Sequence, residues 1–72
     1  MLKTFCFIYR KLNDADIKTH YVHAAGWIQA ATLARKTLGL TKGINWYCVP
    51  ARRGLIKQYM NILSDDYKGG CN

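Results

Sequence analysis

The chain of 72 residues carries 11 Lys and Arg against four acidic residues, which gives a formal net charge of +7. The length of these residues predicts one small domain. Half of the residues are hydrophobic, which argues against intrinsic disorder, while no apolar run approaches the roughly 20 residues that span a bilayer.

Two strands are predicted at the start of the chain. Residues 3–12 are rich in β-branched and aromatic side chains, and they are apolar at both parities, which indicates a central strand. The short polar residues 13–16 are typical of a turn. Residues 17–24 favour a second strand that pairs with the first as a hairpin.

An amphipathic helix is predicted between Gly26 and Gly39. At about 100° per residue its small and apolar residues fall on one side, together with Trp27, and its polar residues fall on the other. Gly39 stands where a left-handed residue ends a helix. The stripe that should lie against a sheet consists of Trp27, Ala30, Ala31, Ala34 and Leu38.

The second half of the chain predicts a third strand and one further element. Residues 44–49 form the strand, which ends at Pro50, and residues 51–54 form a turn or loop. Residues 55–63 fit a helical stripe or a strand, and their composition favours helix. The fold class is therefore α+β: a small β-β-α-β two-layer sandwich, with one amphipathic helix on a three-stranded sheet and a short C-terminal helix or strand. The domain covers residues 1–63, and residues 64–72 form a flexible polar tail.

The sequence predicts neither catalysis nor a cofactor or metal. Cys6, Cys48 and Cys71 are an odd, widely spaced set, which indicates reduced thiols in a cytoplasmic protein rather than a disulfide framework. His20 and His23 differ in strand parity, so they point to opposite faces and do not share an ion. With no Glu and only four Asp, the chain offers little from which to build a general acid–base pair.

The basic balance favours an anionic partner, and the candidate contact residues are cations and tyrosines. A sheet face with tyrosines and a basic rim could stack the bases of single-stranded nucleic acid. A protein interface is the competing hypothesis, because Arg, Tyr and Trp dominate binding hot spots. The blander alternatives are that the tyrosines complete the core and that the charge serves solubility. The candidates are Arg10, Lys11, Lys18, Arg52, Arg53, Lys57, Tyr9 and Tyr47.

The run THYVHAAGWIQAATLARKTLG leads from a strand through small residues into an Ala-rich helix that a Gly closes. In this architecture, residues 3–49 resemble small bacteriophage accessory proteins of ββαβ type. The resemblance implies a phage or mobile-element protein that modulates host or phage machinery by binding, with transcription, DNA processing or defence as typical targets. It carries over no functional residues.

The predicted function is that of a non-enzymatic regulator or inhibitor that acts by occupancy. Its expected partner is a host nucleic-acid-handling protein or nucleoprotein complex, and no membrane partner is expected. The alternative is direct binding of DNA or RNA through the basic, tyrosine-bearing sheet face. Oligomeric state and the identity of the partner stay open.

Overall fold

The computed structural model describes residues 2–39 and 43–70, with side chains described as far as Asp65. The predicted α+β class and the strand-strand-helix-strand order are confirmed, and the C-terminal element is a second helix. The elements are β1 (Lys3–Lys11), β2 (Ile17–Ala24), α1 (Trp27–Leu38), β3 (Ile44–Pro50) and α2 (Arg53–Gly70).

The sheet has the strand order β2-β1-β3, with β1 antiparallel to both neighbours. The prediction that the first strand is central is therefore confirmed. It was made because the residues of this strand are apolar at both parities. Six consecutive residues of β1, Phe5 to Arg10, are buried. Because successive side chains of a strand point to opposite faces, both faces of the sheet have to be covered.

Helix α1 covers the face that carries the odd-numbered residues of β1. Ala31 and Ala34 pack there against Phe7 and Tyr9, and an alanine stripe lets a helix approach a sheet closely because no side chain extends beyond Cβ. The helix ends at Gly39, whose φ of 69° is left-handed as the sequence predicted.

Helix α2 covers the opposite face, which carries the even-numbered residues of β1. Its Leu63 is fully buried in one cluster with Cys6, Ile8 and Val49. This helix adds a third layer to the two layers that the sequence predicted, because the C-terminal element fills the face that a ββαβ unit leaves bare. The order of layers is α1, sheet, α2.

Helix α2 is also longer at both ends than residues 55–63. It begins at Arg53, so half of the predicted 51–54 loop is helical, and it continues to Gly70. The helical assignment therefore includes residues 64–70, which the sequence placed in a flexible polar tail. Residues 64–68 contain no Gly or Pro, and residues 71–72 lie outside the described residues.

Candidate functional site

The strand directions bring both helix N-termini to one end of the sheet. β1 begins at this end, and the antiparallel strands β2 and β3 finish there, where Lys3 lies opposite Ala24 and Phe5 opposite Pro50. Each helix follows its strand after a connection of only two residues, 25–26 for α1 and 51–52 for α2. Both helices therefore start beside the first residues of β1.

Four exposed cations lie at this end, which we call the basic end: Lys3, Arg52, Arg53 and Lys57. Neither helix has an acidic residue in its first turn. Each helix N-terminus carries a partial charge of roughly +0.5, and nothing acidic in these two first turns offsets it. The end is thus electropositive through its backbone as well as its side chains.

The described acids lie away from the basic end. Asp14 and Asp16 belong to the connection between β1 and β2, at the other end of a nine-residue strand that is about 27 Å long. Asp65 follows Arg53 along α2 by 12 residues, or about 18 Å. The described acids are thus separated from the basic end, while the exposed cations Lys11, Lys18 and Lys36 also lie outside it.

Hydrogen bonds fix the backbone that carries the two arginines. The Ala51 N–H donates to the Thr4 carbonyl at 3.0 Å, and the Arg52 N–H donates to the Pro50 carbonyl at 2.7 Å. The Arg52 carbonyl accepts from the Ile56 N–H at 2.9 Å, which makes Arg52 the residue that caps α2. Two adjacent guanidinium groups therefore project from a backbone that is tied to the central strand.

Exposed apolar side chains accompany these cations. Leu2, Trp27 and Ile28 are 68%, 54% and 65% exposed, and all three stand at the end where β1 and α1 begin. Trp27 was predicted to lie in the core stripe of α1. It is exposed because, as the first residue of the helix, it stands at the very end of the sheet, where little of the sheet remains to cover it.

Two open grooves lie beside the basic end. The aromatic groove, of about 430 Å³, runs beside β3 on the side of α1, and the basic groove, of about 510 Å³, lies between α2 and β2. The first is lined by Phe5, Trp27, Trp46, Tyr47, Cys48 and Pro50. The second is lined by Tyr21, Ala51, Arg53, Ile56, Lys57 and Met60.

The predicted cations separate into three groups. Arg52, Arg53 and Lys57 come together at the basic end, whereas Lys11 and Lys18 are exposed at the opposite end of the sheet. Arg10 is buried, with 3% of its surface exposed, because it faces α2 from the central strand. Its Nη1 donates to the carbonyls of Lys11 and Asp14, at 3.1 and 3.3 Å. Arg10 thus holds the β1–β2 turn and is withdrawn from the surface that the sequence assigned to it.

The predicted tyrosine platform is not formed in the described part of the chain, because a helix covers each face of the sheet. Tyr9 is buried under α1, with its ring centroid 5.6 Å from that of Phe7. Tyr47 is half-buried under α2, with its ring centroid 4.8 Å from that of Tyr59. The tyrosine that is exposed beside cations is Tyr21, which sequence reasoning missed because its position beside Arg53 and Lys57 depends on where α2 begins.

The two described thiols are weak nucleophiles. Burial raises the pKa of the Cys6 thiol, and burial, together with the nearby Cys6, raises the pKa of Cys48 to about 11. Both thiols are therefore protonated at neutral pH, whereas thiol chemistry needs the thiolate. No group of three potential metal ligands occurs among the described residues, and Cys71 lies outside them.

Comparisons with protein-family models, with curated proteins and with solved structures found no match to this chain. None of the helices in the described residues is both long enough and apolar enough to cross a membrane.

Proposed function

We propose that this protein is a non-catalytic binding module that docks its basic end on an acidic surface of a partner protein and acts by occupying that surface. One observation carries the proposal. Arg52, Arg53 and Lys57 share one end of the molecule with exposed Trp27 and Tyr21, while the described acids lie elsewhere. Cations that steer the encounter and aromatic anchors that bury area are the usual parts of a protein interface.

The resemblance of residues 3–49 to phage accessory proteins supports a narrower form of the proposal. In that form the chain is a phage or mobile-element regulator, and its partner is a host protein of transcription, DNA processing or defence. Such a regulator needs no active site, since it inhibits by covering a surface that the host machinery uses. The basic end, where no described acid lies, fits a partner whose exposed patch is acidic.

Direct binding to nucleic acid has less support than a protein partner. The sequence hypothesis placed base stacking on an open sheet face, but Tyr9 packs under α1 on one face and Tyr47 packs under α2 on the other. The cations of the basic end remain available to phosphates, so nucleic acid becomes an outcome of the test rather than a second proposal.

The test compares two charge-matched double variants of the full chain. Arg52→Ala with Arg53→Ala removes two cations from the basic end, and Lys11→Ala with Lys18→Ala removes two from the opposite end. All four side chains are exposed. The free energy of unfolding of each variant should therefore lie within about 0.5 kcal/mol of the wild-type value. Each protein is used to capture partners from bacterial lysate, with and without nuclease, and the purified partner is then titrated.

The proposal expects a stoichiometric, nuclease-resistant partner that the wild type and the Lys11/Lys18 variant retain and that the Arg52/Arg53 variant loses. Affinity for the purified partner should fall at least about tenfold in the arginine variant. Equal losses in both variants would mean that net charge alone drives binding. Two results together would identify nucleic acid as the partner in place of a protein. Nuclease would abolish the capture, and the slope of log affinity against log salt concentration would be shallower by up to about two units in the arginine variant.

A further inference from the structure

Strand β3 is an edge strand whose outer backbone groups can be assigned from the ladder. The Leu12 N–H donates to the Gly43 carbonyl just before β3, and the Ala51 N–H donates to the Thr4 carbonyl just after it. Opposite residues of an antiparallel ladder alternate between bonded and non-bonded pairs. Tyr47 lies opposite Ile8 in the ladder, and it belongs to a bonded pair. The N–H and C=O groups of its neighbours Trp46 and Cys48 therefore point to the outer edge.

The aromatic groove lies along these same residues. Trp46, Tyr47, Cys48 and Pro50 line it from β3, and Trp27 lines it from the start of α1. The side chains of Trp46, Cys48 and Pro50 point toward α1 because these residues share one parity, whereas Tyr47 has the opposite parity. The outer edge thus offers backbone hydrogen-bonding groups beside an apolar groove of about 430 Å³. An added strand could bond to these groups and place one large apolar side chain in the groove.

We propose that the partner contributes an extended acidic segment that adds to the sheet as a fourth strand beside β3. The segment hydrogen-bonds to the backbone of Trp46 and Cys48 and places one large apolar side chain in the aromatic groove. Its acidic residues lie beyond Pro50, beside Arg52 and Arg53. This inference rests on the proposed function and states how the basic end recognises its partner.

The charges of the chain favour an acidic segment of a partner protein as the fourth strand. β3 carries no charged residue, and the first cations that follow it are the two arginines, so a bound strand meets positive charge at that end. A second copy of this chain is opposed by repulsion, since each copy has a formal net charge of +7. The other edge strand, β2, carries the exposed Lys18, and a lysine on an edge strand discourages strand addition.

The probe is an array of capped nonapeptides. Each peptide has a varied central residue flanked by Thr, and it carries three Asp at its N- or its C-terminal end. Matched peptides carry Ser in place of Asp. The full-length protein, labelled with ¹⁵N, is titrated with the tightest binder, and amide hydrogen exchange is measured residue by residue. The expected optimum has a large apolar or aromatic central residue, and replacing Asp by Ser weakens binding on the order of tenfold.

If the peptide adds as a strand, its effect on amide exchange should alternate along β3. The amides of Trp46 and Cys48 exchange fast in the free chain and slow at least about tenfold with peptide, whereas Tyr47 and Val49 are protected in both states. Peptides N-methylated at alternate positions give the complementary result, because methylation at one parity removes the bonding donors and at the other parity does not. Trp27→Ala weakens binding, and Arg52→Ala with Arg53→Ala abolishes the preference for Asp.

Three outcomes overturn the inference. They are no binding by any peptide at millimolar concentration, binding without the parity at Trp46 and Cys48, and binding that is indifferent to which peptide amides are methylated. If the arginine variant still loses the purified partner in these cases, the basic end docks on a folded acidic surface and the proposed function stands. If the arginine variant keeps that partner, the proposed function fails as well.

Discussion

Replacing Leu63 by Ala tests whether α2 packs on the sheet as described. Leu63 is fully buried and lies in one cluster with Cys6, Ile8 and Val49. Truncation of a buried leucine removes its transfer free energy and leaves a cavity, which together cost about 2.7–5 kcal/mol. The partly buried side chains of α2 that flank it can settle into part of the space, so we expect about 3 kcal/mol.

That loss is large for a chain of this size. Natural domains have about 0.05–0.15 kcal/mol of stability per residue, which for the 72 residues of this chain amounts to about 4–11 kcal/mol. In small domains each kcal/mol shifts Tm by about 4–8 °C, so Leu63→Ala should lower Tm by about 12–24 °C. The matched control is Asn61→Ala, since Asn61 is exposed on the same helix and Ala is the better helix former.

Both variants are followed by thermal unfolding in far-UV circular dichroism and by urea titration. The midpoint of the Leu63 variant should fall with a nearly unchanged m value, whereas the Asn61 variant should match or slightly exceed the wild type. Equal melting of the two variants would refute the packing of α2 on this face. A lower m value for the Leu63 variant, with the β-sheet signal retained, would mean that α2 unfolds separately from the sheet.

Three further predictions concern single positions. Ala34 is fully buried where α1 packs on the sheet, and Lys36 is exposed, so Ala34→Leu should cost about 1–3 kcal/mol by overpacking and Lys36→Leu almost nothing; similar Tm values would mean that the helix phase is wrong. Gly39 has a φ of 69°, so Gly39→Ala should cost about 1–2 kcal/mol in urea titrations, and an unchanged midpoint would contradict the left-handed ending. The pKa of the Cys48 thiol is raised from 9.0 to about 11 by burial and by Cys6, so the protonated thiol favours the fold below pH 9 and this contribution is lost between pH 9 and 11. Wild-type stability should therefore fall more steeply over that interval than the stability of Cys48→Ala, and parallel curves would contradict the shift.

The amino-acid sequence by itself determined the elements whose signals are local. The apolar character of residues 3–12 at both parities identified the central strand, and the small-residue stripe between Gly26 and Gly39 identified α1 and its ending. In each case the pattern arises from the geometry of one element, because side chains alternate along a strand and recur about every 3.6 residues along a helix. The order of these elements in turn defined the α+β class.

The tertiary structure decided what depends on contacts between distant residues. Residues 55–63 fit a helix or a strand in pattern and favour helix in composition, and the structure makes them part of a helix whose Leu63 is buried against the face of the sheet opposite α1. The same packing buries Arg10 and half-buries Tyr47, two candidates that the sequence had placed on the surface. Burial of a side chain depends on which element lies over it, and no local pattern carries that information.

The candidate site is of the same kind. The sequence singled out Arg52 and Arg53, but it paired them with Tyr9, Tyr47, Lys11 and Lys18. The structure pairs them instead with Lys3, Trp27 and Tyr21. These residues meet because two antiparallel pairings bring the start of β1 to the ends of β2 and β3, and short connections then start both helices there. The sequence shows the excess of cations, whereas the grouping of Lys3, Arg52, Arg53 and Lys57 at one end follows from strand direction.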